Sequence, residues 1–163
     1  MLRHRLVVAA PTMQDVVRFA GGWLFDRVIA GWDVMVLTAV HNDARALRIL
    51  GATAVDLESA MCSPMRGPRL QAVAVAADLY ESDPRVRRRL LAAVDEGLGE
   101  VRIWDDRGSG GSDARDASMS YRPSRAARAF KAQAMMAASV PVDPDETVEV
   151  FHGVGTLHAY ARV

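Results

Sequence analysis

Short runs of consecutive apolar residues recur along the chain and are separated by segments of mixed polarity. Uninterrupted runs of this length are typical of strands that are buried on both faces of a parallel sheet. The predicted strands are residues 6–10, 34–39, 53–57, 70–76 and 100–104, and the pattern is weaker in 53–57.

Predicted helices lie between these strands, where apolar residues recur every three or four positions. Thr12 is a predicted N-cap with Asp15 at the third helical position, and Asp83 followed by proline marks a later helix start. Alternating strands and helices predict one domain, residues 1–163. Its expected fold is a three-layer, Rossmann-like or flavodoxin-like α/β arrangement with about five mostly parallel strands.

The character of the chain changes after the fifth predicted strand. Residues 105–124 are rich in glycine, serine and aspartate, which predicts a long flexible loop. A helix over residues 124–139 is expected to follow. Residues 147–152 and 157–163 alternate between apolar and polar side chains, which predicts a C-terminal antiparallel hairpin at the edge of the sheet.

Composition indicates a globular protein and favours no class of partner. The 20 basic and 20 acidic residues balance. Cys62 is the only cysteine in the sequence, which excludes an intrachain disulfide and is consistent with a reducing compartment. No apolar segment approaches the roughly 20 residues of a bilayer span, and the N-terminal apolar run is too short for a signal peptide. We therefore expect a soluble, cytoplasmic protein without a membrane partner.

The turn after the first predicted strand is where a dinucleotide-binding fold would hold a phosphate. This turn, Ala9-Ala10-Pro11-Thr12, contains no glycine, and the sequence has neither a G-x-G-x-x-G pattern nor a P-loop. Gly21 and Gly22 fall in the middle of the predicted helix, where we expect them to allow close packing on the sheet. Thr12 is therefore interpreted first as a helix cap, with anion binding at the helix N-terminus as the alternative.

Polar residues follow the predicted strands at their carboxyl ends, which share one edge of a parallel sheet. Open α/β sheets bind ligands at that edge. Several carboxylates there could bind Mg²⁺ through oxygen atoms, and no other cofactor is evident. The alternative is that strand ends are simply polar and that some of these residues cap helices. The candidate ligand-binding residues are Thr12, His41, Asp43, Asp56, Glu58, Asp78, Glu81, Asp105 and Asp106.

Two groups of basic residues are candidate anion-binding sites, because arginine binds phosphate and carboxylate through paired N–H groups. A nucleic acid is a candidate partner for them, although the net charge of zero does not support it. The alternative is that they form solvated helix faces. The first group includes Arg85, Arg88 and Arg89, and the second includes Arg122, Arg125 and Arg128.

The methionine-rich helix after the predicted loop is a candidate contact surface for a protein partner or a second copy of the chain. Phe130, Met135 and Met136 give it an adaptable apolar surface, with core packing as the alternative. Cys62 is interpreted as a small core residue rather than a nucleophile. His152 and His158 make a weak case for a metal site, because a third ligand is not apparent.

Three functions follow from these observations. A non-catalytic regulatory or partner-binding module is the leading expectation, because the sequence has no cofactor fingerprint and no nucleophile motif. A small enzyme, or a protein that binds nucleotides or phosphate, is the alternative, and it would use the acidic edge of the sheet. A nucleic-acid-associated protein that uses the arginine-rich helices is the third.

Overall fold

The computed structural model of the chain describes residues 3–40, 43–64, 67, 69–106 and 118–153. In this part of the chain, seven strands form one sheet in the order β3-β2-β1-β4-β5-β7-β6. Strands β1 to β5 are mutually parallel, and β7 is antiparallel to both of its neighbours. The strands are Arg5–Ala10 (β1), Asp33–Thr38 (β2), Thr53–Asp56 (β3), Leu70–Ala76 (β4), Glu100–Trp104 (β5), Ser118–Tyr121 (β6) and Glu149–His152 (β7).

Helices cover both faces of this sheet, so the predicted mostly parallel α/β fold is confirmed. The helices are Met13–Ile29 (α1), Arg45–Leu50 (α2), Leu57–Cys62 (α3), Ala77–Ser82 (α4), Pro84–Asp95 (α5) and Arg125–Ala137 (α6). On one face α1, α2 and α6 pack against one another, and on the other face α4 packs against α5 beside α3. Among the described residues, no helix combines the length and the apolar character that crossing a membrane requires.

The predicted C-terminal antiparallel pair is present, but its partner strand differs from the prediction. Strand β7 pairs with Ser118–Tyr121, inside the segment predicted as a loop, and Met119 lies opposite Phe151. Residues 157–163, the predicted partner, lie outside the described residues, as does 107–117. The sequence Ser-Met-Ser-Tyr was missed because a short edge strand with exposed side chains lacks the apolar run of a central strand.

Strand order places a topological switch point between β1 and β4. From β1 the chain continues outward through β2 to β3, then returns to the other side of β1 with β4 and β5. The segments that follow β1 and β4 therefore run toward opposite sides of the sheet. The carboxyl ends of these two strands flank a crevice, which is where ligands bind in sheets of this kind. The residues that follow these two strands are Pro11–Thr12 and Ala77–Asp78.

A buried carboxylate holds the middle of α1 against the C-terminal part of the sheet. The Glu149 side chain accepts hydrogen bonds from the backbone N–H of Gly22 at 2.9 Å and of Trp23 at 2.7 Å. It also accepts a hydrogen bond from Lys131 Nζ at 2.8 Å. The two glycines were expected to allow close packing of the helix on the sheet. Instead, a Cβ at Gly22 would lie 2.5 Å from Cγ of Pro123.

Gly22→Ala is expected to destabilise the protein by about 1–3 kcal/mol, because the added methyl group would overlap the Pro123 ring. Gly21→Ala is the matched control on the same helix. A Cβ there would lie 3.4 Å from the flexible Lys131 chain, and the higher helix propensity of alanine would offset part of any strain. Urea unfolding of both variants tests this, and equal effects would contradict it.

Candidate active site at the carboxyl edge of the sheet

The turn after β1 starts α1 as predicted, with Thr12 as the N-cap. The Thr12 backbone is extended, and its Oγ1 accepts a hydrogen bond from the Asp15 backbone N–H at 3.3 Å. This bond satisfies one of the free N–H groups in the first turn of the helix. Asp15 is half-buried and lies in the first turn of the helix that leaves β1, next to the switch point.

Other acidic residues converge electrostatically on Asp15. Burial raises the pKa of the Asp15 carboxyl, and the negative charges of Asp106, after β5, and Asp78, after β4, raise it further. A hydrogen bond with the Thr12 side chain and the charge of Arg18 act in the opposite direction without cancelling the rise. Arg18 lies 3.9 Å from the Asp106 carboxylate. The three acidic residues of this cluster follow β1, β4 and β5, which are neighbouring strands of the sheet.

A carboxylic acid with a raised pKa in a partly buried crevice can exchange a proton with a bound molecule near neutral pH more readily than an ordinary aspartate. Asp15 was not among the predicted ligand-binding residues, because the spacing from Thr12 was fully explained by helix capping. The signal that identifies it is strand order: the residue follows the strand at which the sheet reverses direction.

Several predicted edge residues instead form local structure. Asp56 caps α3 by accepting a hydrogen bond from the Ser59 N–H at 3.1 Å. Glu58 pairs with Arg85 at 2.7 Å, which lowers the pKa of its carboxyl. Asp43 accepts a hydrogen bond from the Arg45 N–H at 3.0 Å. Glu81 and Asp105 are half-buried, and His41 lies outside the described residues.

The acidic edge of the sheet offers no metal site in the described part of the chain. Among the described residues, no group of three histidine, cysteine, aspartate or glutamate side chains is arranged to hold a metal ion. The predicted use of Mg²⁺ therefore has no support from the side chains of the described residues, and they do not fit a three-ligand site for another metal.

The arginines of the first predicted group stabilise the packing of α3 against α5. Arg85 pairs with Glu58 and Asp83 at 2.7 and 2.9 Å. Arg89 donates to the carbonyl oxygens of Ala60 and Met61 at 2.8 and 2.7 Å, where α3 ends. Arg88 and the second group, namely Arg122, Arg125 and Arg128, are exposed, and anion binding by these residues stays a prediction.

The structure divides the predicted contact surface of α6. Met135 is 4% exposed and belongs to the core, so it is unavailable to a partner. Phe130 is exposed and stacks on Phe25 with 4.6 Å between ring centroids, and Met136 is 67% exposed. Contact with a second copy of the chain or with another protein stays a prediction. The exposed Phe130 and Met136 side chains would form that contact.

The cysteine and the histidine pair that the sequence analysis singled out differ in their exposure. Cys62 is exposed at the end of α3, so its interpretation as a core residue is wrong. The short helix α3 buries Leu57 and turns its far end to solvent. His152 is buried beside Ile103, and its Nδ1 has no hydrogen-bond partner in the described part of the chain. His158 lies outside the described residues.

A cavity of about 680 Å³ lies between the sheet and the helices α3 and α5. Its floor includes Ala9 and Val75, each one residue before the carboxyl end of its strand, so the cavity extends to the edge where α1 and α4 begin. Its walls are mostly apolar side chains from both helices.

Comparisons with known proteins identify the fold but no sequence family. No family model matches the chain, and no curated protein matches it in sequence. The A40926 pseudoaglycone deacetylase Dbv21 is similar in structure, with a TM-score of 0.60 at 18% identity, covering 91% of this chain and 96% of Dbv21. A deacetylase–teicoplanin complex from the biosynthesis pathway of teicoplanin gives a TM-score of 0.58 at 15% identity, covering 91% of this chain and 97% of that one. The zinc-inhibited form of teicoplanin deacetylase Orf2 gives a TM-score of 0.54 at 16% identity, covering 81% and 82%.

These similarities establish the α/β fold and correct the leading functional expectation. The three solved proteins named above are deacetylases, which are enzymes. They contradict the expectation of a non-catalytic regulatory or partner-binding module and favour the alternative of a small enzyme.

Proposed function

We propose that this chain is a small hydrolytic enzyme that removes an acyl group at the crevice between the carboxyl ends of β1 and β4. The observation that carries this proposal is the position of Asp15 and Asp78, which follow β1 and β4, the two strands that flank the switch point. The fold shared with deacetylases supports hydrolysis of an acyl amide or ester as the reaction class.

In this proposal Asp15 is the general base. It takes a proton from a water molecule whose oxygen attacks the acyl carbonyl carbon, and a tetrahedral intermediate forms. The bond to the leaving nitrogen or oxygen then breaks as that atom receives the proton from Asp15, which yields a carboxylic acid and an amine or alcohol. Thr12 positions Asp15 at the start of the helix by accepting a hydrogen bond from its backbone N–H.

Arg18 is the candidate for stabilising the charge that develops on the carbonyl oxygen. It lies one turn after Asp15 on α1, and its charge acts on that carboxylate. Its side chain is half-exposed beside Asp106, so the guanidinium is accessible to a bound molecule. A donor aimed at a developing oxyanion contributes strongly to such reactions because its position is fixed before the reaction starts.

Release of free amine from a panel of N-acetylated amines, together with hydrolysis of acetyl esters, tests the proposal. Parallel reactions contain EDTA, Zn²⁺ or Mg²⁺, since Orf2 has been solved in a zinc-inhibited form. We expect turnover that Asp15→Asn abolishes and that Asp95→Asn, an exposed acidic control on α5, leaves unchanged. Absence of turnover with every acyl donor, or equal turnover in Asp15→Asn, would refute it.

A further inference from the structure

The cavity beneath α3 and α5 lies on the face of the sheet where helix α3 is short. Helix α3 has 6 residues and ends at Cys62. The side chains of Val7, Leu37 and Val73, which belong to the sheet, form the floor of this cavity.

The volume and the lining fit a small organic ligand. At 680 Å³ the cavity is within the range of about 300–1,000 Å³ that is typical of small-molecule sites. Leu57 and Ala60 of α3 and Leu90 and Ala93 of α5 form apolar walls. Such walls offer water few hydrogen bonds, so displacement of water by an aliphatic group would be favourable.

Charges at the margin of this cavity are unbalanced. Arg69 and Arg89 both line it, and Glu96 is the acidic residue among its described lining. Arg89 donates to backbone carbonyl oxygens, and Arg69 is exposed. Within the described ranges, neither arginine forms an ion pair.

We propose that this cavity binds a molecule with a single aliphatic chain and an anionic head group. The chain would lie on Val7 and Val73, and the head group would lie at Arg69. Arginine recognises carboxylate and phosphate through two parallel hydrogen bonds, so both head groups are compatible with the site. The inference concerns binding alone and is independent of the proposed hydrolysis.

Calorimetric titration with four C12 compounds, each below its micelle concentration, tests the head group. The compounds are dodecanoate, dodecyl phosphate, dodecanol and dodecyltrimethylammonium. We expect the two anions to bind about tenfold more tightly than the alcohol, because a charge-assisted hydrogen bond is gained, and the cation to bind most weakly. If one of the two anions binds more tightly than the other, this difference shows whether the natural ligand carries a carboxylate or a phosphate head group. Equal affinity for the anions and the alcohol would overturn the assignment of the head group.

Variants test whether the aliphatic chain of the ligand occupies this cavity. Ala93→Trp fills the space from α5, and Ala60→Leu fills it from α3, which covers the case in which one variant does not fold. Ala129→Trp, on the exposed face of α6, is the matched control. We expect the affinity for dodecanoate to fall about tenfold or more in the two cavity variants, because the larger side chains occupy the space of the ligand and cannot move aside without strain. In the control variant the affinity should not change.

Arg69→Gln distinguishes the contribution of the head group to the affinity from that of the aliphatic chain. It is expected to reduce the affinity for dodecanoate to that for dodecanol, with dodecanol binding unchanged. Circular dichroism confirms that each variant is folded before titration. Unchanged dodecanoate binding in both folded cavity variants would overturn the proposal, as would the absence of binding by the wild-type chain.

Discussion

Replacement of Asp15 by asparagine is expected to reduce kcat/KM for acyl hydrolysis by about 10²–10⁴-fold, the usual contribution of a general base. Asparagine keeps the size of the side chain, and the cap at Thr12 uses the backbone N–H of residue 15, so the start of α1 should persist. A loss of less than about tenfold would contradict a proton-transfer role, because a positioned base contributes more than that.

The pH dependence provides a second test of this assignment. Burial and the charges of Asp106 and Asp78 hold the pKa of Asp15 above its ordinary value of 3.8. The rising limb of kcat/KM should therefore lie above that value, because the base must be ionised to act. Asp106→Asn removes a like charge and should move the limb to lower pH, with only a modest loss of rate. A limb at the same pH in this variant would contradict the proposed cluster.

Stability measurements distinguish loss of catalysis from loss of folding. A carboxyl whose pKa is raised in the folded state stabilises the protein below its unfolded pKa, and this contribution is lost as the pH rises through the folded pKa. At neutral pH the ionised Asp15 therefore costs stability. Asp15→Asn should unfold at the same temperature as the wild type or higher at pH 7, and below pH 3.8 the difference should vanish. An inactive variant that also unfolds much earlier would point to a structural role.

The central part of the fold could be predicted from the sequence because burial imposes a simple pattern. Strands β1, β2 and β4 have buried residues on both faces, so each reads as an apolar run. The helix starts at Thr12 and Asp83 could also be predicted, because each cap is a contact between residues two or three positions apart.

Features that depend on distant residues could not be predicted. Glu149 contacts the Gly22 backbone across 127 positions, and nothing near either residue indicates the partner. Strand β6 has exposed side chains and is defined by pairing with β7, not by its own composition. The role of Asp15 depends on β4 lying beside β1, and strand order is not encoded locally.

Lys131→Met is expected to have the largest effect on folding, a loss of about 3–5 kcal/mol at pH 7. The Lys131 side chain is 11% exposed and that of Glu149 is 2% exposed, so this variant leaves an ionised carboxylate buried without its cation. Arg128→Met, an exposed position on the same helix, is the control and should change stability by less than about 0.5 kcal/mol. Urea unfolding measures both, and equal small effects would contradict a buried ion pair.

The effect of Lys131→Met should grow with pH. Burial raises the pKa of Glu149, while Lys131 and the two N–H groups act against this rise. At low pH Glu149 is protonated and its missing cation matters little. As the pH rises through the folded-state pKa, above the ordinary 4.5, the carboxyl must ionise without a partner, and stability falls. The difference between variant and wild type should therefore be smallest near pH 4 and largest at pH 7.

A double-mutant cycle completes this prediction. With Lys131→Met, Glu149→Gln should recover part of the lost stability, because no charge then remains in the buried site. Recovery should be incomplete: the Gly22 and Trp23 N–H groups still require acceptors, and glutamine offers one oxygen where the carboxylate offered two. A residual loss of about 1–3 kcal/mol is expected for a buried N–H left without a partner. Full recovery would show that the charge pair alone, and not the contact with the α1 backbone, accounts for the role of Glu149.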